Sequence, residues 1–177
     1  MNLGLLIIRL AVGLLFVGHG AQKLFGSFGG HGPAGTAAFF EAQGMRPGRL
    51  MALAAGGAEV IGGALFAAGL LTPVGAALIS AVMVTAMWTV HSGKGLWATE
   101  GGVEYNLVLL AAAFAVTAIG AGDWSLDHAL GLDVAGVGWA VAELAIALAG
   151  GLMTIAIGRS SLRRGVAGRR TAGGVRS

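Results

Sequence analysis

Long apolar stretches, separated by short polar segments, dominate the pattern of this chain. Four of them are nearly free of charge over about the 20 residues that a helix needs to cross the hydrocarbon core of a bilayer. A fifth, residues 105–120, is shorter and would need its flanks or a locally thinned bilayer to span. The four longer stretches are residues 3–21, 51–71, 73–90 and 137–158. The pattern predicts an all-α integral membrane protein with five transmembrane helices.

The composition supports this prediction and leaves no room for a second, soluble domain. Hydrophobic residues make up 56% of the 177 and charged residues 11%, whereas soluble domains average about 25% charged. The mean hydropathy is +0.82. The chain has no cysteine, which excludes a CxxC thiol relay, an iron–sulfur cluster and a c-type haem. In any redox role the electrons would have to reside on a diffusible molecule, a b-type haem or a partner subunit.

The basic residues predict the orientation, because short loops rich in Lys and Arg stay cytoplasmic. With five spans, all ten loop and tail cations fall on one side: Lys23, Arg46, Arg49, Lys94, Arg159, Arg163, Arg164, Arg169, Arg170 and Arg176. The fourth loop carries Asp123, Asp127 and Asp133 and no cation. We therefore predict an external N-terminus and a cytoplasmic C-terminus. The Arg-rich tail, residues 159–177, is predicted to be disordered and to lie against anionic lipid, and we do not expect it to bind nucleic acid.

The segment between the first two spans leaves two structures open. Gly32 and Pro33 begin a stretch through Gln43 in which two adjacent phenylalanines precede Glu41. Proline suits the first turn of a helix, and aromatic residues beside a charge suit a helix that lies at the membrane interface. A plain surface loop fits equally well.

Two charges, Arg9 and Glu59, fall inside predicted spans. A charge near the bilayer centre costs about 2.5 to 3.5 kcal/mol on insertion scales, so it must be paired or face a polar cavity. The helical rise places Arg9 about 21 Å and Glu59 about 14 Å from the inner surface, a gap that an arginine side chain can cover. We predict a buried Arg9–Glu59 pair. It would be either a proton or ligand centre or a structural pair that fixes helix register. Glycine pairs on both sides of Glu59, at 56–57 and 62–63, predict close helix packing.

Polar residues also cluster where the first and third spans end and the fourth begins. Since these ends share one side of the membrane, we predict a common inner vestibule for a ligand or proton. Its members would be His19, Lys23, His91, Lys94, Trp97, Glu104 and Tyr105. Each could instead be an interfacial residue in contact with lipid headgroups, as is common for His, Trp and Tyr at helix ends. We predict no metal site.

The same residues resemble the DoxX family of small bacterial membrane proteins. The resemblance covers roughly residues 3–127. It rests on Arg9 and on four short motifs, HGAQKLFG at 19–26, AEVIGG at 58–63, TVH at 89–91 and GGVEY at 101–105. It implies a four-helix membrane unit in a bacterial plasma membrane, related to a small subunit of a thiosulfate:quinone oxidoreductase. It also implies association with quinone-linked or redox-protective complexes, without implying catalysis.

The chain departs from the family pattern after the fourth span. Residues 137–177 add a further span that contains Glu143, followed by the Arg-rich tail. We therefore predict a four-span unit at 1–127, an external loop and fifth span at 128–158, and a cytoplasmic tail at 159–177.

Three functions remain open at this stage. The first is a subunit of a redox-associated or quinone-linked complex that binds a small apolar molecule, since the vestibule offers hydrogen-bond donors and proton sources beside Leu, Phe16 and Trp88. The second is an assembly subunit that recruits a cytoplasmic partner protein. The third is a small channel or carrier whose path is lined by Arg9 and Glu59. The ligand of the first function would be a quinone or a similar small apolar molecule. We do not expect a b-type haem held by His19 and His91, because most histidines at helix ends bind nothing.

Overall fold

The computed structural model describes the backbone of residues 2–173 and the side chains of residues 2–160. The elements in this range are helices: α1 (Asn2–Phe25), α2 (Gly32–Ala42), α3 (Gly48–Ala68), α4 (Thr72–Thr89), α5 (Glu104–Ile119), α6 (Leu126–Ala129) and α7 (Val137–Gly173), with a 3-10 turn at Ala98–Glu100. Four helices are long and apolar enough to cross a membrane: α1, α3, α4 and α7 over Val137–Ser160. The apolar α5 is shorter, at 16 residues. The prediction of an all-α membrane protein is confirmed.

The long helices form an antiparallel bundle with two distinct ends. Helices α1, α4 and α7 begin at the end that carries Asp123, Asp127 and Asp133, which we call the aspartate end. They run to the end that carries Lys23 and Lys94, the lysine end, while α3 and α5 run back. Helix α1 packs most extensively on α3, and α4 lies between α3, α5 and α7. The additional helix α7 therefore belongs to the same bundle and covers α4 and α5.

Glycines allow α1 and α3 to approach closely, as the sequence predicted around Glu59. A Cβ atom on Gly13 would overlap the carbonyl oxygen of Gly63, and one on Gly20 would overlap that of Gly56. Gly62 makes the equivalent contact with α4, at Leu78. The apolar core lies beneath these contacts and includes Phe16, Phe66, Ile79 and Val116.

The segment after Gly32, for which a helix and a loop were both open, and the Arg-rich tail, which was predicted to be disordered, are both helical within the described residues. The stretch after Gly32 is a helix, α2, with a proline at its start. Its Phe40 packs with Met45 and Met51 in a small core of its own. The region predicted to be a disordered tail continues as part of α7 through Gly173. Arginine and alanine favour helix, and extending an existing helix requires no new nucleation. Residues 174–177 of that predicted tail lie outside the described range.

Candidate functional site

Arg9 is buried at the aspartate end, with 1% of its surface exposed. Its two terminal nitrogens donate hydrogen bonds to the carbonyl oxygens of Ala121 and Trp124, in the loop after α5. Gly69, which ends α3 in the left-handed conformation, leaves the space that the guanidinium occupies, because a Cβ there would overlap it. Arg9 thus joins the first helix to a loop more than a hundred residues later.

Glu59 is also buried, but its partner is Lys23, whose Nζ lies 2.7 Å from Oε2 and 2.8 Å from Oε1. The predicted Arg9–Glu59 pair is therefore wrong. Side chains on a helix lean toward its own N-terminus. Since α1 and α3 are antiparallel, Lys23 and Glu59 lean toward each other, while Arg9 leans away from Glu59.

Asp127 organises the aspartate end, a role that the sequence analysis missed. Its buried carboxylate accepts hydrogen bonds from the backbone N–H of Leu71 (2.6 Å) and Thr72 (3.0 Å) and from the Thr72 hydroxyl (2.6 Å). These groups begin α4, where a carboxylate satisfies free N–H groups and complements the helix dipole. The backbone N–H of Asp127 also donates to the carbonyl of Gly69. An Asp that caps a helix can be recognised from the sequence when it directly precedes the helix. Asp127 lies 55 residues from Thr72 in sequence, so its capping of α4 could not be recognised in this way.

The seven predicted vestibule residues all lie at the lysine end, in two groups. On the α1 side, His19 Nδ1 lies 3.2 Å from Gln22 Oε1, and Lys23 binds Glu59. On the α4–α5 side, His91 Nδ1 lies 2.6 Å from the carbonyl oxygen of Gly101.

The other four members belong to the second group. Glu104 accepts a hydrogen bond from the backbone N–H of Ala98 at 2.9 Å, and the aliphatic part of Lys94 lies beside Gly101. Trp97 and Tyr105 are 60% and 49% exposed. Among the side chains of residues 2–160, no hydrogen bond or ion pair connects the two groups. That they share one ligand stays a prediction.

An apolar cavity of about 320 Å³, open at the outer surface of the bundle, lies between α4, α5 and α7. Its walls include Met87, Trp88, Ser92, Val103, Leu148 and Leu152, and Ser92 provides the hydroxyl group among them. The guanidinium of Arg159 also lies over the Trp88 ring. It is 5.9 Å from the ring centroid, which is the distance of a cation–π contact. Trp88 thus lines this cavity, while its predicted role beside a quinone stays a prediction. Phe16, predicted for the same wall, is instead fully buried in the core.

The α4–α7 interface contains a second buried acid, Glu143. The Ser80 hydroxyl of α4 lies near its carboxyl group. Within the described part of the chain, neither carboxyl oxygen of Glu143 nor the Ser80 hydroxyl has a hydrogen-bond partner of normal geometry. From the sequence, Glu143 is recognisable only as a charge in the span that departs from the family pattern.

Comparison with known families gives one match. The DoxX family matches residues 4–92, slightly more than half of the 177 residues. The match covers α1 to α4 and includes Arg9, Lys23, Glu59 and His91, whereas α5 and α7 lie beyond it. Neither a curated protein nor a solved structure matches the chain significantly. The chain is a member of the DoxX family and a multi-pass integral membrane protein.

Proposed function

We propose that this protein is a subunit of a redox-associated, quinone-linked complex in a bacterial plasma membrane, and that it binds a quinone in the cavity between α4, α5 and α7. The observation that carries the proposal is the cavity itself. Its volume of about 320 Å³ falls within the range of small-molecule sites, which are mostly apolar with a few polar groups that orient the ligand. Aliphatic side chains suit a quinone tail, and Trp88 offers a ring surface for the head.

The polar groups near the cavity lie on the loop between α4 and α5. His91 directly precedes Ser92, and Glu104 directly follows Val103, and both Ser92 and Val103 line the cavity. Because the Gly101 carbonyl can only accept, the contact with His91 Nδ1 assigns the proton to Nδ1. Nε2 of the neutral ring is then an acceptor. It is suited to receive the hydroxyl proton of a reduced quinone.

The orientation that we propose puts the lysine end in the cytoplasm. Lys23, Arg46, Arg49, Lys94 and Arg159 belong to that end, and the exposed Asp123 and Asp133 belong to the other. The charge distribution follows the positive-inside rule for five spans. The proposed quinone head would then approach from the cytoplasmic side of the bilayer.

A second candidate function is an assembly subunit that recruits a cytoplasmic partner. Exposed aromatic residues at the lysine end support it: Phe25, Phe28 and Trp97 are all more than half exposed. The channel or carrier hypothesis has less support, because Arg9 is held by backbone carbonyls and Glu59 by Lys23. Groups that are held in this way are not free to line a path for ions.

The test is quinone retention by purified protein. Protein in mild detergent is mixed with a short-chain benzoquinone, freed of excess by gel filtration, and analysed by mass spectrometry for bound quinone. We expect Leu148→Trp, which fills the cavity, to lose the bound quinone. Ile146→Trp is the matched control, because Ile146 lies on the same helix, faces outward and does not line the cavity.

Three results would decide between the candidates. Retention by the parent and by Ile146→Trp, but not by Leu148→Trp, supports the quinone site. Equal retention by both variants would place the quinone elsewhere or in the detergent. If the parent retains none, the assembly function takes precedence, and crosslinking from Lys94 to soluble proteins tests it.

A further inference from the structure

Glu143 is a buried acid for which the described structure provides no counter-charge. It is 2% exposed and lies in the second turn of α7, toward the aspartate end. From Val137 to Gly158 it is the only charged residue of the sequence. The nearest cation along the helix, Arg159, is 16 positions away, or about 24 Å at the helical rise.

The helices packed against α7 bring no cation to Glu143 either. Helix α4 contains no ionisable side chain. Helix α5 contains only Glu104 and Tyr105, both in its first turn at the lysine end. Helix α3, which touches α7 only slightly, contains Arg49 near its start at the lysine end and Glu59.

Other charged side chains that the structure describes near the two ends of the bundle have partners or are exposed. Arg9, the cation of the aspartate end, binds the carbonyls of Ala121 and Trp124. The Glu59 carboxylate binds Lys23. His128, which is also at the aspartate end, is exposed. Glu143 therefore differs from Glu59, the other acid buried in the bundle, in having no cation beside it among the residues described.

The lack of a counter-charge among the described residues favours the protonated form of this acid, and Ser80, whose hydroxyl can donate or accept, lies near it. An ionised carboxylate without a counter-charge is far more costly to bury than a neutral carboxylic acid, and the neutral acid has one O–H donor. The Ser80 hydroxyl, itself buried and without a partner in the described range, lies near the carboxyl group and can accept that hydrogen bond. We propose that Glu143 and Ser80 form a proton-binding site inside the membrane, in which the Glu143 carboxyl carries the proton and donates it to the Ser80 oxygen.

The site is next to the cavity but does not depend on quinone binding. Leu144, the residue after Glu143, and Val84, one turn after Ser80, both line the cavity. A small apolar reagent that enters the cavity would thus approach the carboxyl group. A proton-binding site predicts reactivity with such a reagent whether or not the protein binds a quinone.

Dicyclohexylcarbodiimide is the appropriate probe, because it is apolar and adds to a protonated carboxyl group. The acid proton moves to a carbodiimide nitrogen as the carboxyl oxygen bonds to the central carbon. The adduct then rearranges to a stable N-acylurea without losing any atom. Protein in native membranes is treated at neutral pH, and its peptides are analysed by mass spectrometry. We expect the label on Glu143 and its loss in Glu143→Gln.

Glu59 is the matched control, since it is equally buried but paired with Lys23. It should stay unlabelled in the parent and become labelled in Lys23→Met, where its counter-charge is removed. In Lys23→Met, a label on Glu59 but not on Glu143 would overturn the proposal. It would show that the reagent reaches the membrane interior and that Glu143 is not protonated there.

Infrared spectroscopy tests the same proposal without relying on reagent access. The parent should show the C=O stretch of a protonated carboxylic acid, and Glu143→Gln should lack it. Ser80→Ala should shift this band to higher frequency, because the acid loses its acceptor. A parent spectrum identical to that of Glu143→Gln in this region would overturn the proposal.

Discussion

At the residue scale, the ion pair between Lys23 and Glu59 is the buried contact that single substitutions should disturb most. Replacing one member leaves the other charge without its partner, at a cost of about 3 to 5 kcal/mol for a buried pair. Because Lys23 is partly exposed and Glu59 is not, Glu59→Gln, which leaves Lys23 behind, belongs at the lower end of that range.

Two double-mutant cycles test whether Lys23 or Arg9 is the partner of Glu59. In thermal unfolding in detergent, Lys23→Met and Glu59→Gln together should destabilise the bundle by less than the sum of the single changes. Arg9→Gln and Glu59→Gln should add within about 0.5 kcal/mol, since the two residues do not meet. Strong coupling in the second cycle would contradict the contacts described here.

Asp127 provides a second test at this scale. Asp127→Asn should weaken three hydrogen bonds at the start of α4 and cost about 1.5 to 3 kcal/mol, as expected for bonds to a charged acceptor. Asp133→Asn is the control, because Asp133 is exposed in the same loop region. Equal unfolding temperatures for the two variants would show that the cap contributes little.

The sequence predicted that Arg9 and Glu59 would be buried but assigned them to each other. Their depths along the two helices allow such a pair, but the direction in which helical side chains lean brings Lys23 to Glu59 instead. The role of Asp127 was beyond sequence reasoning for another reason. Its partners at Leu71 and Thr72 are brought to it only by the packing of the loop after α5 against the α3–α4 turn.

At the scale of elements, glycine contacts set the distance between α1 and α3. Gly13→Ala should force the helices apart, because its Cβ would overlap Gly63 and Ala67, and we expect a loss of about 1 to 3 kcal/mol. Gly18→Ala on the same helix is the control, since its Cβ would meet nothing within 4 Å. Unfolding temperatures of the two variants in detergent provide the comparison. A smaller loss in Gly13→Ala than in Gly18→Ala would contradict close packing at this point.

The helices themselves were largely predictable, and their mutual arrangement was not. Hydropathy located α1, α3, α4 and α7, because each contains a mostly apolar run of near-spanning length. The cavity depends on how α7 lies across α4 and α5. That placement follows from small-residue contacts such as Gly151 against Val84, which no periodicity in the sequence specifies.

At the scale of the whole molecule, the cysteine-free sequence makes the proposed orientation directly testable. Asp133→Cys places one thiol at the aspartate end and Lys94→Cys places one at the lysine end, both at exposed positions. A membrane-impermeant maleimide should label Asp133→Cys in intact cells and Lys94→Cys only after permeabilisation, as the positive-inside rule requires. The reverse labelling pattern would invert the proposed topology.

The bonds from Arg9 to Ala121 and Trp124 also bear on how the protein is made. Arg9 leaves the ribosome before its acceptors do, since the nearest of them follows 112 residues later. At about 5 to 20 residues per second, synthesis of that acceptor takes about 6 to 22 seconds. During this interval the first helix carries a guanidinium without its final partners, so it must keep that group near water or near the insertion machinery. The loop after α5 therefore completes a contact of the first helix that no earlier part of the chain supplies.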